Sequence, residues 1–146
     1  MKRLFLSVFM LLVAFATFAQ SRPKLIVGIV VDQMRWDYLH RYYNLYCEGG
    51  FKRLMNEGFD CENTMINYIP AITAVGHTSI YTGAVPSIHG IQANNFLLNG
   101  KMTYCTADST VSGVGTDSKA GQMSPRNMLG TTIGDMLRQA TDFKAK

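Results

Sequence analysis

Two runs of residues predict strands, and the first of them is apolar without polar alternation. Lys24–Val31 holds leucine, isoleucine and valine around a single glycine, which is typical of a strand covered on both faces, as in the parallel sheet of an α/β protein. Phe59–Ile69 predicts a second strand that Pro70 ends. Since a helical pattern follows each run, the order indicates strands joined by helices.

Four further stretches carry helix signals. Phe51–Glu57 has an apolar face and is followed by Gly58, and Thr73–Thr82 is followed by Gly83, a residue common after helix ends. Ser124-Pro125 has the order of an N-cap and a first-turn proline. The fourth stretch is the aromatic-rich Trp36–Tyr46, which Gly49-Gly50 ends. The helix expected after Ser124 has an apolar face formed by Met128, Leu129, Ile133, Met136, Leu137 and Ala140.

The middle of the chain predicts a hairpin. Ile91–Thr106 is centred on Asn99-Gly100, a dipeptide that favours the tight turn between antiparallel strands. Gly113–Gln122 reads as a loop. The order strand, helix, strand, helix, hairpin, helix predicts an α/β sandwich. Since no parallel strand follows the last helix, we expect residues 20–146 to be the N-terminal portion of a larger α/β domain.

The first 19 residues have the pattern of a signal peptide. A basic start, Lys2-Arg3, precedes the apolar run Leu4–Phe18, and Thr17-Phe18-Ala19 has the small residues that a signal peptidase accepts. An N-terminal anchor helix is the alternative, but the run is shorter than the roughly 20 residues of a membrane span. We therefore expect cleavage before Gln20, a periplasmic or secreted protein, and no transmembrane segment after cleavage.

Composition and charge exclude several classes of protein. Of 146 residues, 47% are hydrophobic and 16% charged, which is globular and not disordered. The formal charge of +4 includes Lys2 and Arg3 of the signal peptide, so the remaining excess is too weak to indicate nucleic-acid binding. The three cysteines, Cys47, Cys61 and Cys105, cannot all pair with one another and lack the close spacing of a zinc site.

Three polar residues stand where ligands of α/β proteins are bound. Asp32 follows the first predicted strand, Thr73 begins a predicted helix, and Asn94 lies in a polar loop. Taken singly, each has a structural explanation: a turn or capping aspartate, an N-cap threonine and a turn asparagine. Together they permit phosphoryl chemistry, because a threonine hydroxyl needs a base or metal to become a nucleophile and a helix N-terminus favours a phosphate.

Three blocks of sequence carry a more specific signal. Val30–Arg35, Tyr68–Gly83 and Val85–Ile91 resemble, in order and character, the alkaline phosphatase superfamily. The resemblance is to the branch with a threonine nucleophile, which contains phosphate-irrepressible alkaline phosphatases and nucleotide pyrophosphatase/phosphodiesterases. Gly49–Arg53 and Ser124–Asn127 favour the phosphatase side of that branch.

The resemblance implies a three-layer α/β/α sandwich and zinc-dependent hydrolysis of small-molecule phosphate monoesters through a covalent phosphothreonine. By this resemblance, Thr73 matches the nucleophile and Asp32 matches a ligand of the zinc that activates it. Asp32 and Thr73 are therefore both expected to bind the metal. Asn94 matches the residue that contacts a phosphoryl oxygen. A complete site holds two Zn²⁺ ions, and the remaining ligands and the lysine and arginine on the phosphoryl group match no residue up to Lys146.

Two alternatives remain open at this point. One is a phosphodiesterase or nucleotide pyrophosphatase of the same superfamily, and the other is an inactive truncated fragment without catalysis. The histidines do not decide between them: His77 and His89 lie within the blocks but are expected to bind backbone groups, and His40 is expected to be a surface or packing residue.

The signal peptide generates the first prediction. N-terminal sequencing of the protein recovered from the periplasm or medium should begin at Gln20, because cleavage follows the small residue at position 19. A variant with Ala19→Arg should be processed more slowly, whereas Gln20→Ala should not change processing. Recovery of the protein in the cytoplasm with Met1 intact would contradict the prediction.

Overall fold

The computed structural model describes residues 23–146, and the predicted signal peptide lies outside them. The chain divides into two compact units at Val30–Val31. The described part of the first unit, residues 23–30, contains no helix or strand. All of the regular structure described below therefore belongs to the second unit.

The second unit contains five α-helices and one hairpin. The hairpin strands are antiparallel and pair Asn95 with Tyr104 and Leu98 with Lys101. Short 3-10 turns occur at Tyr43–Leu45 and Lys119–Gly121. The elements are α1 (Asp37–Arg41), α2 (Phe51–Glu57), α3 (Thr73–Thr82), α4 (Pro86–His89), β1 (Asn95–Leu98), β2 (Lys101–Tyr104) and α5 (Ile133–Ala140). Within residues 23–146, no helix is both long and apolar enough to span a bilayer.

The elements with strong local signals form where they were predicted. Helices α2 and α3 have the expected bounds, and α3 ends at Gly83, whose φ of 65° is left-handed. The hairpin turns at Asn99-Gly100 with φ values of 50° and 79°. Positive φ at both positions is the geometry that matches the twist of two antiparallel strands.

The two predicted parallel strands are not formed within the described residues. Lys24–Val31 and Phe59–Ile69 are not assigned as strands, and the only sheet of residues 23–146 is the β1–β2 hairpin. β-Branched residues favour an extended backbone, but a strand forms only where a neighbouring strand supplies hydrogen bonds. Most large side chains of the first run are exposed, such as Leu25 at 78%.

The predicted aromatic helix is interrupted. Trp36–Tyr46 consists of α1 and the turn Tyr43–Leu45, separated by Tyr42 with φ −105° and ψ 13°. The hydroxyl of Tyr46 donates to the Tyr38 carbonyl at 2.7 Å, so the segment folds back on itself. Helical spacing alone could not predict this break.

The prediction of a helix beginning after Ser124-Pro125 was wrong. Helix α5 begins at Ile133, where Thr132 and Asp135 form a capping box with hydrogen bonds of 2.8 Å and 3.3 Å between each side chain and the other's backbone N–H. The hydrogen bonds that the Asp135 carboxylate accepts from the Thr132 N–H and hydroxyl lower its pKa. The Ser124 oxygen accepts from the Arg126 N–H at 3.2 Å, as a cap would, while its hydroxyl donates to Asp108. The helix does not continue, because the Leu129 N–H is bonded to the His89 carbonyl and Gly130 has φ 92°.

A small apolar cluster lies between α3 and the hairpin. Ile91, Phe96 and Cys105 form its buried centre. The partly buried side chains around it are Ala74, Ala93, Leu98 and Met128. Ala74 and Ala93 each adjoin a candidate site residue in the sequence, Thr73 and Asn94, so the core supports the place where α3 begins.

Asp108 holds the loop after β2. Its carboxylate accepts from the Ser124 hydroxyl at 2.6 Å, from the backbone and hydroxyl of Thr110 at 2.9 Å and 2.6 Å, and from the Arg126 guanidinium at 2.9 Å. These donors, the Ser124 hydroxyl first, hold the pKa of Asp108 well below its usual range. The buried carboxylate therefore stays ionised and joins two loop segments.

Asp108 generates a prediction on local stability. In the protein expressed from the complete gene, Asp108→Asn should speed hydrogen exchange of the Thr110 amide by about tenfold or more, because charged acceptors make the stronger bonds. Since the folded-state pKa is depressed, the wild-type protection should be complete above the ordinary carboxyl pKa of about 4 and decline as the pH falls below it. The exposed Asp117 supplies the control: Asp117→Asn should leave exchange unchanged. Equal exchange in wild type and Asp108→Asn would contradict this.

Candidate functional site

The hydroxyl of Thr73 meets the carboxylate of Asp32. Thr73 Oγ1 donates to Asp32 Oδ2 at 3.3 Å, and both residues are exposed. Asp32 lies in a turn whose next residue, Gln33, has φ 57°, a left-handed conformation that is uncommon outside glycine. The N-cap of α3 is Ile72, so Thr73 is the first helical residue and not the cap.

The side chain of Asn94 accepts a hydrogen bond from the N-terminus of α3. The side chain of Ile72 cannot cap the helix, and the Asn94 side-chain oxygen Oδ1 accepts from the Ala74 backbone N–H at 3.0 Å instead. The Asn94 carbonyl accepts from the Cys105 N–H at 2.9 Å. With Oδ1 engaged, the amide group presents Nδ2 as its remaining donor.

The three predicted residues therefore share one place in the fold. Asp32 contacts the side chain of the first residue of α3, and Asn94 contacts the backbone of the second. The positive end of the α3 dipole lies at the same point. A carboxylate, a hydroxyl and an amide donor at a helix N-terminus can bind a cation and an oxyanion side by side.

The histidines bind backbone and neighbouring side chains, as expected. His77 Nδ1 lies 2.9 Å from the Thr73 carbonyl, one turn earlier in α3. His40 is exposed and contacts the Trp36 ring with a centroid distance of 4.9 Å. These contacts agree with the structural role expected for His77 and with the surface or packing role expected for His40.

His89 is fully buried and uses both ring nitrogens. Nδ1 accepts from the Ile91 N–H at 3.2 Å, so Nε2 carries the proton and donates to the Ser79 hydroxyl at 3.0 Å. Burial lowers the pKa of this imidazole. A neutral histidine thus joins the second turn of α3 to the segment that leads to Asn94.

The donor set of the site fits part of a zinc centre. Asp32 and Thr73 offer two oxygen ligands 3.3 Å apart, whereas zinc is usually held by four ligands. Among residues 23–146, no group of three or more His, Cys, Asp or Glu side chains could hold a metal ion. These two residues can therefore supply one side of such a centre.

Several residues around the site were not predicted to contribute. The Ser79–His89 pair and Asn127 support it through hydrogen bonds, and Asp108 fixes the loop that leads to Asn127. His89 and Asn127 lie within blocks that carry the family resemblance, but the sequence does not indicate which groups they bind. Asp108 had no local signal, because Arg126 lies 18 residues further along.

The chain matches a known family of hydrolases over most of its length. Residues 26–144 match the family described as type I phosphodiesterase / nucleotide pyrophosphatase. The chain is 57% identical over 128 residues to the calcium-transporting ATPase of Myroides odoratus, covering 86% of this chain and 23% of that protein. It is 58% identical over 133 residues to alkaline phosphatase PafA of Elizabethkingia meningoseptica, covering 89% and 24%.

Solved structures agree with these relatives. The crystal structure of wild-type alkaline phosphatase PafA superposes with a TM-score of 0.83 at 57% identity, over 88% of this chain and 25% of that chain. A second PafA structure is a variant with substitutions at a threonine, an asparagine, a lysine and an arginine. The predicted resemblance and the predicted α/β fold class of alkaline phosphatases are thus confirmed. The chain spans about a quarter of the length of the proteins it matches.

His89 generates a prediction on pH dependence. Because its folded-state pKa is lowered, the unfolded chain takes up the proton first, and the melting temperature should fall as the pH drops below the ordinary histidine pKa of about 6.5. His89→Gln should be less stable at pH 7.5 but should lose less on acidification to pH 5.5. Melting curves of the protein from the complete gene test this, with His40→Gln as the exposed control; equal pH dependence in wild type and His89→Gln would contradict it.

Proposed function

Because this chain belongs to the family of type I phosphodiesterases and nucleotide pyrophosphatases, we propose that it carries the nucleophile side of a site that hydrolyses phosphate monoesters. The observation that carries the proposal is the contact between Thr73 Oγ1 and Asp32 Oδ2 at 3.3 Å, beside Asn94 at the same helix N-terminus. The activity proposed is that of an alkaline phosphatase acting on small-molecule phosphate esters.

Thr73 is the proposed nucleophile. Its hydroxyl gives up a proton to solvent and the oxygen attacks the phosphorus of the ester. The bond from phosphorus to the alcohol oxygen breaks, that oxygen takes a proton from water, and the phosphoryl group remains on Thr73 as phosphothreonine. Attack by water on the same phosphorus then releases inorganic phosphate and restores the hydroxyl. The Asp32 carboxylate accepts the hydroxyl hydrogen bond, so it orients the oxygen for attack and favours loss of its proton.

Asn94 and α3 are the proposed phosphate contacts. Asn94 Oδ1 is engaged by the Ala74 N–H, so Nδ2 is the amide group that donates to a phosphoryl oxygen. The N-terminal end of the ten-residue helix α3 adds a partial positive charge where the transferred group is anionic. Both contacts stabilise charge without a side chain having to reorganise.

Two Zn²⁺ ions per complete site are the proposed cofactors, with Asp32 and Thr73 as ligands on one side. Bound zinc would lower the pKa of the threonine hydroxyl and neutralise charge on the phosphoryl oxygens. Within residues 23–146 these two oxygen donors are fewer than such a centre needs. Residues 1–146 alone are therefore proposed to be inactive without further ligands.

A feature of the PafA variant supports the assignment of Thr73 and Asn94. In that structure the threonine changed to serine and the asparagine changed to alanine have the same separation along the chain as Thr73 and Asn94 here. At 56% identity, equal separation is expected for equivalent positions. The lysine and arginine changed in the same variant lie further along than residue 146 in this spacing.

A phosphodiesterase is the second candidate, which the description of the matching family favours. Both activities use a nucleophile and an amide donor in this arrangement, so the ratio of monoester to diester turnover separates them. We propose further that the protein acts in the periplasm or after secretion, and that it binds no nucleic acid, since its charge excess is small.

Thr73 generates the prediction that tests the function. In the protein expressed from the complete gene, Thr73→Ala should lower kcat for a chromogenic phosphate monoester about 1,000-fold or more, because nucleophile and metal ligand are lost together. Thr73→Ser keeps the hydroxyl and should retain appreciable activity. Acid-quenched wild-type enzyme should yield a phosphopeptide modified at Thr73.

Thr78 provides the matched control for this series. Its hydroxyl donates to the Ala74 carbonyl within the same helix at 2.7 Å, so Thr78→Ala should keep most of the activity. Near-normal turnover by Thr73→Ala, or a phosphopeptide modified elsewhere, would overturn the assignment.

A further inference from the structure

The segment Ser124–Leu129 braces both stretches of chain that flank Asn94. On the upstream side, the Leu129 N–H donates to the His89 carbonyl at 2.9 Å. Gly90, with φ 78°, lies against the Leu129 side chain, where a Cβ would come within 3.1 Å of it. On the downstream side, Met128 packs on the buried cluster that contains Cys105. We call this segment the brace.

Asn127 makes the most specific contacts of the brace. Its side-chain nitrogen Nδ2 donates to the carbonyls of Cys105 and Ala107, both at 3.2 Å. One amide group thus satisfies two acceptors of the chain that leaves β2. The opposite orientation would set Oδ1 against two carbonyl oxygens, so the chemistry fixes which end of the amide faces them.

One of the two residues whose carbonyls Asn127 binds, Cys105, is also hydrogen-bonded to Asn94. The N–H of the same residue, Cys105, donates to the Asn94 carbonyl at 2.9 Å. The Asn94 side chain in turn accepts from the Ala74 N–H at 3.0 Å. Asn127, Cys105, Asn94 and Ala74 therefore form one chain of hydrogen bonds that ends beside Thr73.

The Asp108 cluster holds the brace from its other end. Ser124 and Arg126 both bind the Asp108 carboxylate, at 2.6 Å and 2.9 Å. The backbone adds bonds from Ser124 N–H to the Thr106 carbonyl and from Asp108 N–H to the Gln122 carbonyl, at 2.8 Å and 2.9 Å. These contacts fix the loop, but they do not touch the residues that hold Asn94.

We propose that Asn127 is a positioning residue for Asn94: by clamping the Cys105 and Ala107 carbonyls it sets the direction in which Asn94 Nδ2 meets a phosphoryl oxygen. The inference rests on the proposed function, in which Asn94 contacts that oxygen. Displacement of a contact group by about 1 Å is enough to cost up to about 100-fold in rate. Asn127 acts through Asn94 and does not itself reach the substrate.

The test is a double-mutant cycle in the protein expressed from the complete gene. Asn127→Asp keeps the shape of the side chain but replaces the donor by a carboxylate that repels both carbonyls. It should lower kcat/KM for p-nitrophenyl phosphate about tenfold or more. In an Asn94→Ala background the same substitution should cost less than about twofold, since the residue through which it acts is gone.

Two controls separate positioning from general damage. Asn56 accepts from the Tyr43 hydroxyl at 3.1 Å through Oδ1, an acceptor role that aspartate keeps, so Asn56→Asp should leave kcat/KM unchanged. Ser124→Ala removes a bond to Asp108 and should lower the melting temperature without the loss of kcat/KM seen for Asn127→Asp. Asn127→Ala, which removes the clamp without adding charge, enters the same cycle and replaces Asn127→Asp if that variant does not fold.

The outcomes distinguish this inference from the proposed function. If Asn127→Asp lowers kcat/KM equally with Asn94 present and with Asn94→Ala, the positioning role is overturned. It is also overturned, and the proposed function is not, if Asn127→Asp leaves kcat/KM unchanged while Asn94→Ala lowers it. Wild-type kcat/KM in Asn94→Ala itself would instead contradict the proposed phosphate contact. A loss of kcat/KM that occurs only when Asn94 is present supports the inference.

Discussion

The hydrogen bond from the Ala74 N–H to Asn94 Oδ1 is the interaction on which the candidate site depends. It joins the first turn of α3 to the segment that enters the hairpin, 20 residues away in sequence. It also replaces the missing side-chain cap of Ile72. Because one amide group does both, the beginning of the helix and the direction of the asparagine are determined together.

Apolar packing next to the Ala74–Asn94 hydrogen bond holds its two partners in place. Ala74 and Ala93 lie on the buried cluster of Ile91, Phe96 and Cys105, so a side chain larger than alanine at either position would separate α3 from the hairpin. The neutral His89 joins the same two parts through Ser79. The apolar contacts bring the elements together, and the polar ones determine their orientation.

What the sequence could predict depended on how local the determinants were. Helices α2 and α3 and the turn at Asn99-Gly100 followed from residues at their own ends. The helix expected after Ser124 does not form because the Leu129 N–H is bonded to the His89 carbonyl, 40 residues earlier in the chain, which no local pattern reveals. Strand formation likewise depends on neighbours that an apolar run does not specify.

The residues of the candidate site were likewise predictable only in part. Residue types and spacing allowed Asp32, Thr73 and Asn94 to act together, and only the resemblance to a family indicated that they do. The structure brings all three to the beginning of α3. The supporting contacts of Asn127 could not be predicted, since a side chain that binds two carbonyls leaves no pattern in its own segment.

The sequence separations within the site bear on the order in which it assembles during folding. The hairpin closes through a two-residue turn, an event of about 1–10 μs. The Ala74–Asn94 bond closes a loop of 20 residues and the Thr73–Asp32 bond one of 41, and such a doubling costs about 0.6 kcal/mol more in chain entropy. The longer loop is closed by an exposed bond of 3.3 Å. Chain entropy therefore favours closure on the Asn94 side of the site over closure on the Asp32 side.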